Sequence, residues 1–175
     1  MGKLHLHKTI IDKINEYGKI QWVEIGVRWG RNANFVLNNF DISTIHLIDP
    51  YCELPYLTHI FNSESVKTYK DSAKNDLKPF KDKCVWYEDF SQNVIDKFDD
   101  NSIDIIYIDG DHSYEAVLSD LTLFYPKIKE GGLIIGDDYN EDGVKQSIEE
   151  YSKENDIKYE ISDSGDGTHK FWFVK

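Results

Sequence analysis

Cysteine is scarce. Cys52 and Cys84 are the only two in 175 residues, too few and too far apart for a disulfide scaffold or a thiolate metal cage. They read as reduced thiols in or near a core. Long apolar runs are missing as well: no stretch approaches the roughly 20 residues that a membrane span needs. The N-terminal MGKLHLHKTI has no apolar segment of signal-peptide length, and it places Leu6 where a myristoylation signal wants Ser or Thr. The chain therefore reads as cytoplasmic. Positive charge is in deficit, with 20 Lys and Arg against 32 Asp and Glu and a formal charge of −12. Such a surface repels phosphate backbones and anionic lipids, which argues against nucleic-acid and membrane partners.

What is present suffices for a packed core. Residues are 40% hydrophobic and 14% aromatic, and the 30% that are charged do not make the chain globally disordered. The length fits one domain over residues 1–175, with 1–19 as an N-terminal helical segment. Short apolar runs rich in Ile, Val, Tyr and Trp predict strands at Ile20–Val27, Thr44–Asp49, Cys84–Tyr87, Ile103–Asp109, Leu133–Gly136, Ile157–Ile161 and Lys170–Val174. Helical spacing falls between them, as in Ala33, Val36, Leu37 and Phe40, or Val117, Leu118, Leu121 and Phe124. Gly131-Gly132 reads as a helix stop before the fifth strand. Such alternation predicts a Rossmann-like α/β/α sandwich around a seven-stranded, mostly parallel sheet. SDSGDGT (162–168) leaves no room for a crossover helix, so the last strand should run antiparallel.

Ligands of open α/β sheets bind beyond the carboxyl ends of the strands, so those ends carry the functional reading. The first reads VEIGVRWG, with Glu24, Gly26 and Gly30; two glycines this far apart also suit a plain strand-to-helix turn. The second ends in Asp49, whose carboxylate can accept from the two hydroxyls of a ribose. The third ends WYEDFS, offering Asp89, Phe90 and Ser91 to an adenine ring, although Ser91 equally suits a helix N-cap. Trp29, Arg28 and Arg31 could shape the mouth, or either Arg could pair with the acidic surface. Pro50–Ser63 is the longest weakly patterned stretch, and its Tyr51, Tyr56, His59 and Phe61 suit a lid or a stacking wall. His5 and His7 alternate near the N-terminus, which is weak ground for a metal site.

Two further ends are acidic. The fourth strand closes with IDGDH, giving Asp109, Asp111 and His112, and the fifth with GDDY, giving Asp137 and Asp138. On neighbouring strands these carboxylates would crowd, and a hard divalent cation such as Mg²⁺, Mn²⁺ or Ca²⁺ would relieve the repulsion. A helix-capping turn at DGDH and solvated loop acids at DD are the plainer alternatives.

In this order, E-x-G-x-x-x-G, Asp49, EDFS, IDIIYIDGDHSYE, GGLIIGDDY and a final hairpin, the chain resembles the class I S-adenosylmethionine-dependent methyltransferases. That resemblance implies S-adenosylmethionine as cofactor, with Glu24, Gly26 and Gly30 on its methionine and ribose side, Asp49 on the ribose hydroxyls, Asp89, Phe90 and Ser91 near the adenine, and Asp109 also in contact with it. The acids also resemble the triad of metal-dependent O-methyltransferases of the catechol- and sugar-modifying kinds, which implies Asp109, Asp137 and Asp138 as metal ligands. It implies His112 or Asp111 as the base, and a hydroxyl of a sugar or other small polyhydroxylated molecule as acceptor. His112 has the more suitable ordinary pKa. Metal-independent transfer by His112, or a non-catalytic binding domain, are the other readings. Without an evident cap domain, cover for the substrate would come from loops or from a second copy of the chain.

Overall fold

The computed structural model describes residues 8–53, 59–163 and 167–175. His5, His7 and Tyr56 lie outside them. Seven strands, β1 (Ile20–Ile25), β2 (Ile42–Ile48), β3 (Cys84–Tyr87), β4 (Ile103–Ile108), β5 (Ile128–Gly136), β6 (Glu160–Asp163) and β7 (His169–Val174), form one sheet in the order β3-β2-β1-β4-β5-β7-β6. Strands β1 to β5 pair in parallel, whereas β7 runs antiparallel to both β5 and β6. The short link from β6 to β7 permits nothing else.

Among the described residues, six α-helices cover the sheet: α1 (Lys8–Ile14), α2 (Arg31–Asn39), α3 (Ser63–Asp76), α4 (Ser91–Val94), α5 (Tyr114–Phe124) and α6 (Asp142–Glu154). Because side chains alternate along a strand, each central strand feeds two cores. Trp22, Ile45, Leu47, Ile105 and Tyr107 pack under α1, α2 and α3 with Ile14, Val36, Leu37 and Ala73. Val23, Ile106, Ile108 and Ile134 pack on the other face with Val117, Leu121 and Phe124 of α5 and Val144 and Ile148 of α6. Full burial of each such side chain stabilises by about 1.5–3 kcal/mol. The edge strand β3 has one covered side, so Trp86 is only half-buried while Trp22 and Trp172 are buried.

Most strand boundaries shift by a residue or more from expectation, and three of the shifts have a visible cause. Strand β1 stops at Ile25 because Gly26 (φ 86°) enters the left-handed region. A Cβ there would collide with the backbone carbonyl of Asp109, so the β1 and β4 ends approach too closely for any other residue. Gly131-Gly132 stops no helix. Helix α5 ends at Phe124, and the two glycines lie inside β5, where Ile103 pairs with Ile128 but Ile105 with Leu133. They absorb a bulge, with Gly131 at φ 77° and its N–H donating to the Lys175 carbonyl at 2.9 Å. Strand β6 begins at Glu160 because the Ile157 N–H donates back to Ser152 O (2.8 Å), closing the end of α6. No helix among the described residues is long and apolar enough to cross a membrane.

Candidate active site

Register brings the strand ends into one row. Ile25 is level with Ile48 and Ile108, Ile48 with Tyr87, and Ile108 with Gly136. The next residues, Gly26, Asp49, Glu88, Asp109 and Asp137, therefore line one edge of the sheet. The strand order reverses between β1 and β4, where a doubly wound sheet opens a crevice. Arg28 (φ 47°), Tyr51 (φ 43°) and Asp138 (φ 50°) adopt left-handed backbone at this edge. Strain of this kind in non-glycine residues gathers at binding sites.

The β1 and β2 ends are stitched together by Asp49. One of its oxygens accepts the N–H groups of Val27 (2.9 Å) and Arg28 (2.8 Å), and the other accepts from Tyr51 (2.8 Å). Burial nevertheless raises the Asp49 pKa, the three N–H groups and Arg28 opposing the shift. Oδ2 is filled by its two N–H donors, while Oδ1, which accepts only from Tyr51, keeps a lone pair for a ligand hydroxyl. Glu24 does not line the open edge. It is 1% exposed, and its Oε2 accepts from Asn32 Nδ2 at 2.7 Å. Its Oε1 and the Asn32 Oδ1 have no partner among the described residues. Burial holds its carboxyl well above the usual range.

At the β3 end, Asp89 Oδ1 accepts from Phe90 N–H (2.8 Å) and Asn93 Nδ2 (2.7 Å). The Phe90 ring is 46% exposed, an open aromatic face beside it. Ser91 opens α4 and donates its hydroxyl to Asp120 of α5 at 2.5 Å. Asp120 is 4% exposed, and burial pushes its pKa up to about 6. Glu88 is taken by Lys70 and Lys74 of α3.

The β4 and β5 ends bring three donors together. Asp109, His112 and Asp138 each offer one ligand atom, all within 4.8 Å of one another. His112 Nε2 lies 3.6 Å from Asp109 Oδ1 and 3.5 Å from Asp138 Oδ2. Burial raises both carboxyl pKa values, with the neighbouring acids adding to the shift, and Asp109 raises that of His112. Asp111, the other candidate base, is exposed and accepts the Ser113 N–H (2.9 Å) where α5 begins.

Asp137, expected among the ligands, faces elsewhere. Its Oδ1 takes the Lys170 ammonium at 2.5 Å and its Oδ2 the Tyr107 hydroxyl at 2.5 Å. Lys170 is 2% exposed and lies on β7 beside β5. The left-handed turn at Asp138 lets two adjacent aspartates point in different directions. Sequence reasoning missed Lys170, Tyr107, Asn32 and Asp120. A lone Lys ahead of the buried run FWFV was the signal available for the first.

A reversed parallel sheet with a terminal antiparallel strand and an acid-lined carboxyl edge defines a nucleoside-cofactor type of α/β domain. A family model described as a methyltransferase domain matches residues 23–139, from within β1 to just beyond Asp138. The chain belongs to that family. It is 29% identical over 140 residues to an uncharacterized protein of Acanthamoeba polyphaga mimivirus, covering 78% of this chain and 61% of the viral one. The chain thus spans about three-fifths of that relative's length. Among solved structures it is similar to an rRNA methylase from Streptococcus thermophilus, with TM-score 0.70 and 12% identity over 100% of this chain and 98% of that one. It is also similar to the O-methyltransferase NovP, with TM-score 0.66 and 18% identity over 95% and 76% of the two chains. At these identities the likeness is one of fold.

Proposed function

We propose that the chain is an S-adenosylmethionine-dependent O-methyltransferase. Its acceptor is a hydroxyl of a sugar or other small polyhydroxylated molecule, and Asp109, His112 and Asp138 hold a divalent ion beside that hydroxyl. A cytoplasmic location accords with the same reading.

The spacing of those three residues carries the metal assignment. Separations of 3.5 and 3.6 Å are too long for strong hydrogen bonds. They suit donors that surround a common cation, since ligands at about 2.0–2.3 Å from an ion stand roughly 3–4 Å apart. Two carboxylates with raised pKa values also call for positive charge. The donor chemistry fits, and one imidazole moves the preference from Ca²⁺ toward Mn²⁺, with Mg²⁺ still accommodated. The pairing of Asp137 with the Lys170 ammonium supports leaving it out of the ligand set. When bound, a divalent ion supplies Lewis acidity that lowers the pKa of a neighbouring hydroxyl.

The cofactor half also fits its ligand. Asp49 retains a lone pair on Oδ1 for a ribose hydroxyl, and Phe90 presents an exposed ring to adenine. Asp89 and Ser91 flank that ring, and Ser91, having donated its proton to Asp120, offers an acceptor oxygen. Gly26 and Gly30 bring the backbone close on the methionine side, and Asp109 closes that side from β4. Glu24 acts from below, fixing α2 through Asn32. S-adenosylmethionine supplies a methyl group on a sulfonium centre. In the transfer, the acceptor oxygen gains the methyl, the cofactor leaves as S-adenosylhomocysteine, and the hydroxyl proton passes to a base.

Metal-free transfer is the second reading, favoured by the environment of His112. Its imidazole is 36% exposed and made more basic by Asp109, which suits a general base at neutral pH. With an ion bound, His112 is a ligand and Asp111 is the base candidate. Calorimetric titration with S-adenosylhomocysteine tests the common core of both readings; absence of binding by folded protein overturns them in favour of a non-catalytic domain. Turnover in excess chelator separates the two, since full activity there removes the metal.

A further inference from the structure

The chain contains only two arginines among its 20 basic residues, and they are Arg28 and Arg31, three positions apart in the turn that leaves β1. Every other basic residue is lysine. The two side chains differ in function: lysine is a hydrated point charge, whereas the planar guanidinium presents paired N–H donors that match a carboxylate or phosphate.

Neither arginine serves the acidic surface. Among the described residues no carboxylate lies within ion-pair distance of either, although eleven such contacts involve Lys or His. Both instead lie against aromatic rings. The Arg28 guanidinium stands 5.4 Å from the Phe61 ring and 5.2 Å from the Tyr69 ring, and that of Arg31 is 5.6 Å from the Trp29 ring. Trp29 and Tyr69 meet edge to face at 4.4 Å, so rings and guanidinium groups form one continuous wall. The wall is held at its base. The Arg28 N–H donates to Asp49 and the Tyr51 hydroxyl donates to the Arg28 carbonyl at 3.2 Å, fixing a backbone that already sits at φ 47°. Stacking occupies the faces of a guanidinium and leaves its N–H edges available. Arg31 is also the first residue of α2, whose N-cap Gly30 supplies no side-chain acceptor. The helix start therefore adds positive potential at the same place.

We infer that Arg28 and Arg31 form an oxyanion clamp at the mouth of the site, which takes a phosphate or carboxylate carried by the bound ligand. Resting on the methyl-transfer reading, this narrows the acceptor to an anionic hydroxyl compound, such as a sugar phosphate or a hydroxy acid. The net charge of −12 repels extended polyanions, but a stacked, bidentate pair selects a single anionic group at short range. The other source of that group is the amino-acid carboxylate of the cofactor itself.

The test titrates inorganic phosphate into the S-adenosylhomocysteine-loaded protein, comparing wild type with Arg28→Lys/Arg31→Lys, which keeps both charges. Arg31→Ala, which leaves the strained Arg28 turn untouched, is the second variant. Expected are saturable phosphate binding, weakened by about tenfold or more in both variants because the fork is lost, and S-adenosylhomocysteine affinity within about twofold of wild type. If the variants instead lose S-adenosylhomocysteine affinity but keep that for 5′-methylthioadenosine, which lacks the carboxylate, the clamp stands and its anion is the cofactor's. Phosphate affinity that is absent, or equal in all three proteins, together with S-adenosylhomocysteine affinity unchanged by the substitutions, overturns the clamp. Phosphate binding retained by a protein that ignores S-adenosylhomocysteine overturns the methyl-transfer reading and leaves the clamp in place.

Discussion

The two ends of the carboxyl edge satisfy their acids in opposite ways. At β2, Asp49 is held from within: three backbone N–H groups fill all but one of its lone pairs, and the loops after β1 and β2 are fastened through it. At β4 and β5, Asp109 and Asp138 face His112 at 3.6 and 3.5 Å, longer than a strong hydrogen bond. Asp138 accepts no backbone N–H among the described residues. The first arrangement is complete as it stands and needs only a ligand with hydroxyl donors. The second is electrostatically unfinished, and a cation completes it. Asp137 makes the contrast sharper, since one residue from Asp138 the fold provides its own cation, Lys170.

Breaking that internal pair should have the largest effect. Lys170→Met leaves the part-buried Asp137 without its ammonium, with only the Tyr107 hydroxyl and the Asp138 N–H donating to it, which costs about 3–4 kcal/mol, the low end for a buried pair. Thermal melts should show a loss of roughly 6–16 °C for a chain of this size. An unchanged melting temperature would show that Asp137 does not depend on Lys170. Removing a member of the unfinished cluster comes next. Asp138→Asn or His112→Ala should weaken Mn²⁺ binding about 100-fold, near 2.7 kcal/mol, while S-adenosylhomocysteine affinity stays within about twofold.

The third effect depends on pH. The folded-state pKa of Asp120 is raised to about 6, above its usual 3.8. A raised carboxyl favours the protonated folded state, so its penalty is full above pH 6 and fades as pH falls toward 3.8. Asp120→Asn removes the penalty and keeps an acceptor for Ser91. The variant should therefore be more stable than wild type at pH 8 by about 1–3 kcal/mol, with the difference vanishing near pH 4. Denaturant unfolding at the two pH values checks this, and a difference independent of pH would contradict it. Asp49→Asn should weaken S-adenosylhomocysteine by about tenfold through loss of one acceptor, measured by calorimetry. Smallest of all, Lys67→Ala removes an exposed i,i+4 pair with Asp71 and should shift stability by less than about 0.5 kcal/mol.

Much of the fold could be read from the chain because it depends on local pattern. Continuous apolar runs made buried strands, 3.6-residue spacing made helices, and a seven-residue link forced the antiparallel end. Gly131-Gly132 misled because a glycine pair looks the same whether it stops a helix or absorbs a bulge, and register alone distinguishes them. At the edge, Asp49, Asp109 and Asp138 were placed by strand ends, a one-dimensional signal. The different orientation of Asp137 required knowledge of which residue of β7 stands beside β5, and that is a pairing between positions 33 residues apart. The burial of Glu24 had a similar cause: its partner Asn32 sits on the helix that covers the strand.

The difference between the two ends is tested most directly by titrating Mn²⁺ into chelator-stripped, S-adenosylhomocysteine-loaded protein and its Asp138→Asn and Asp137→Asn variants. The expected result is one ion per chain in wild type, lost in Asp138→Asn and retained in Asp137→Asn. No binding by wild type, or loss in Asp137→Asn with retention in Asp138→Asn, would contradict the assignment of the cation to Asp109, His112 and Asp138.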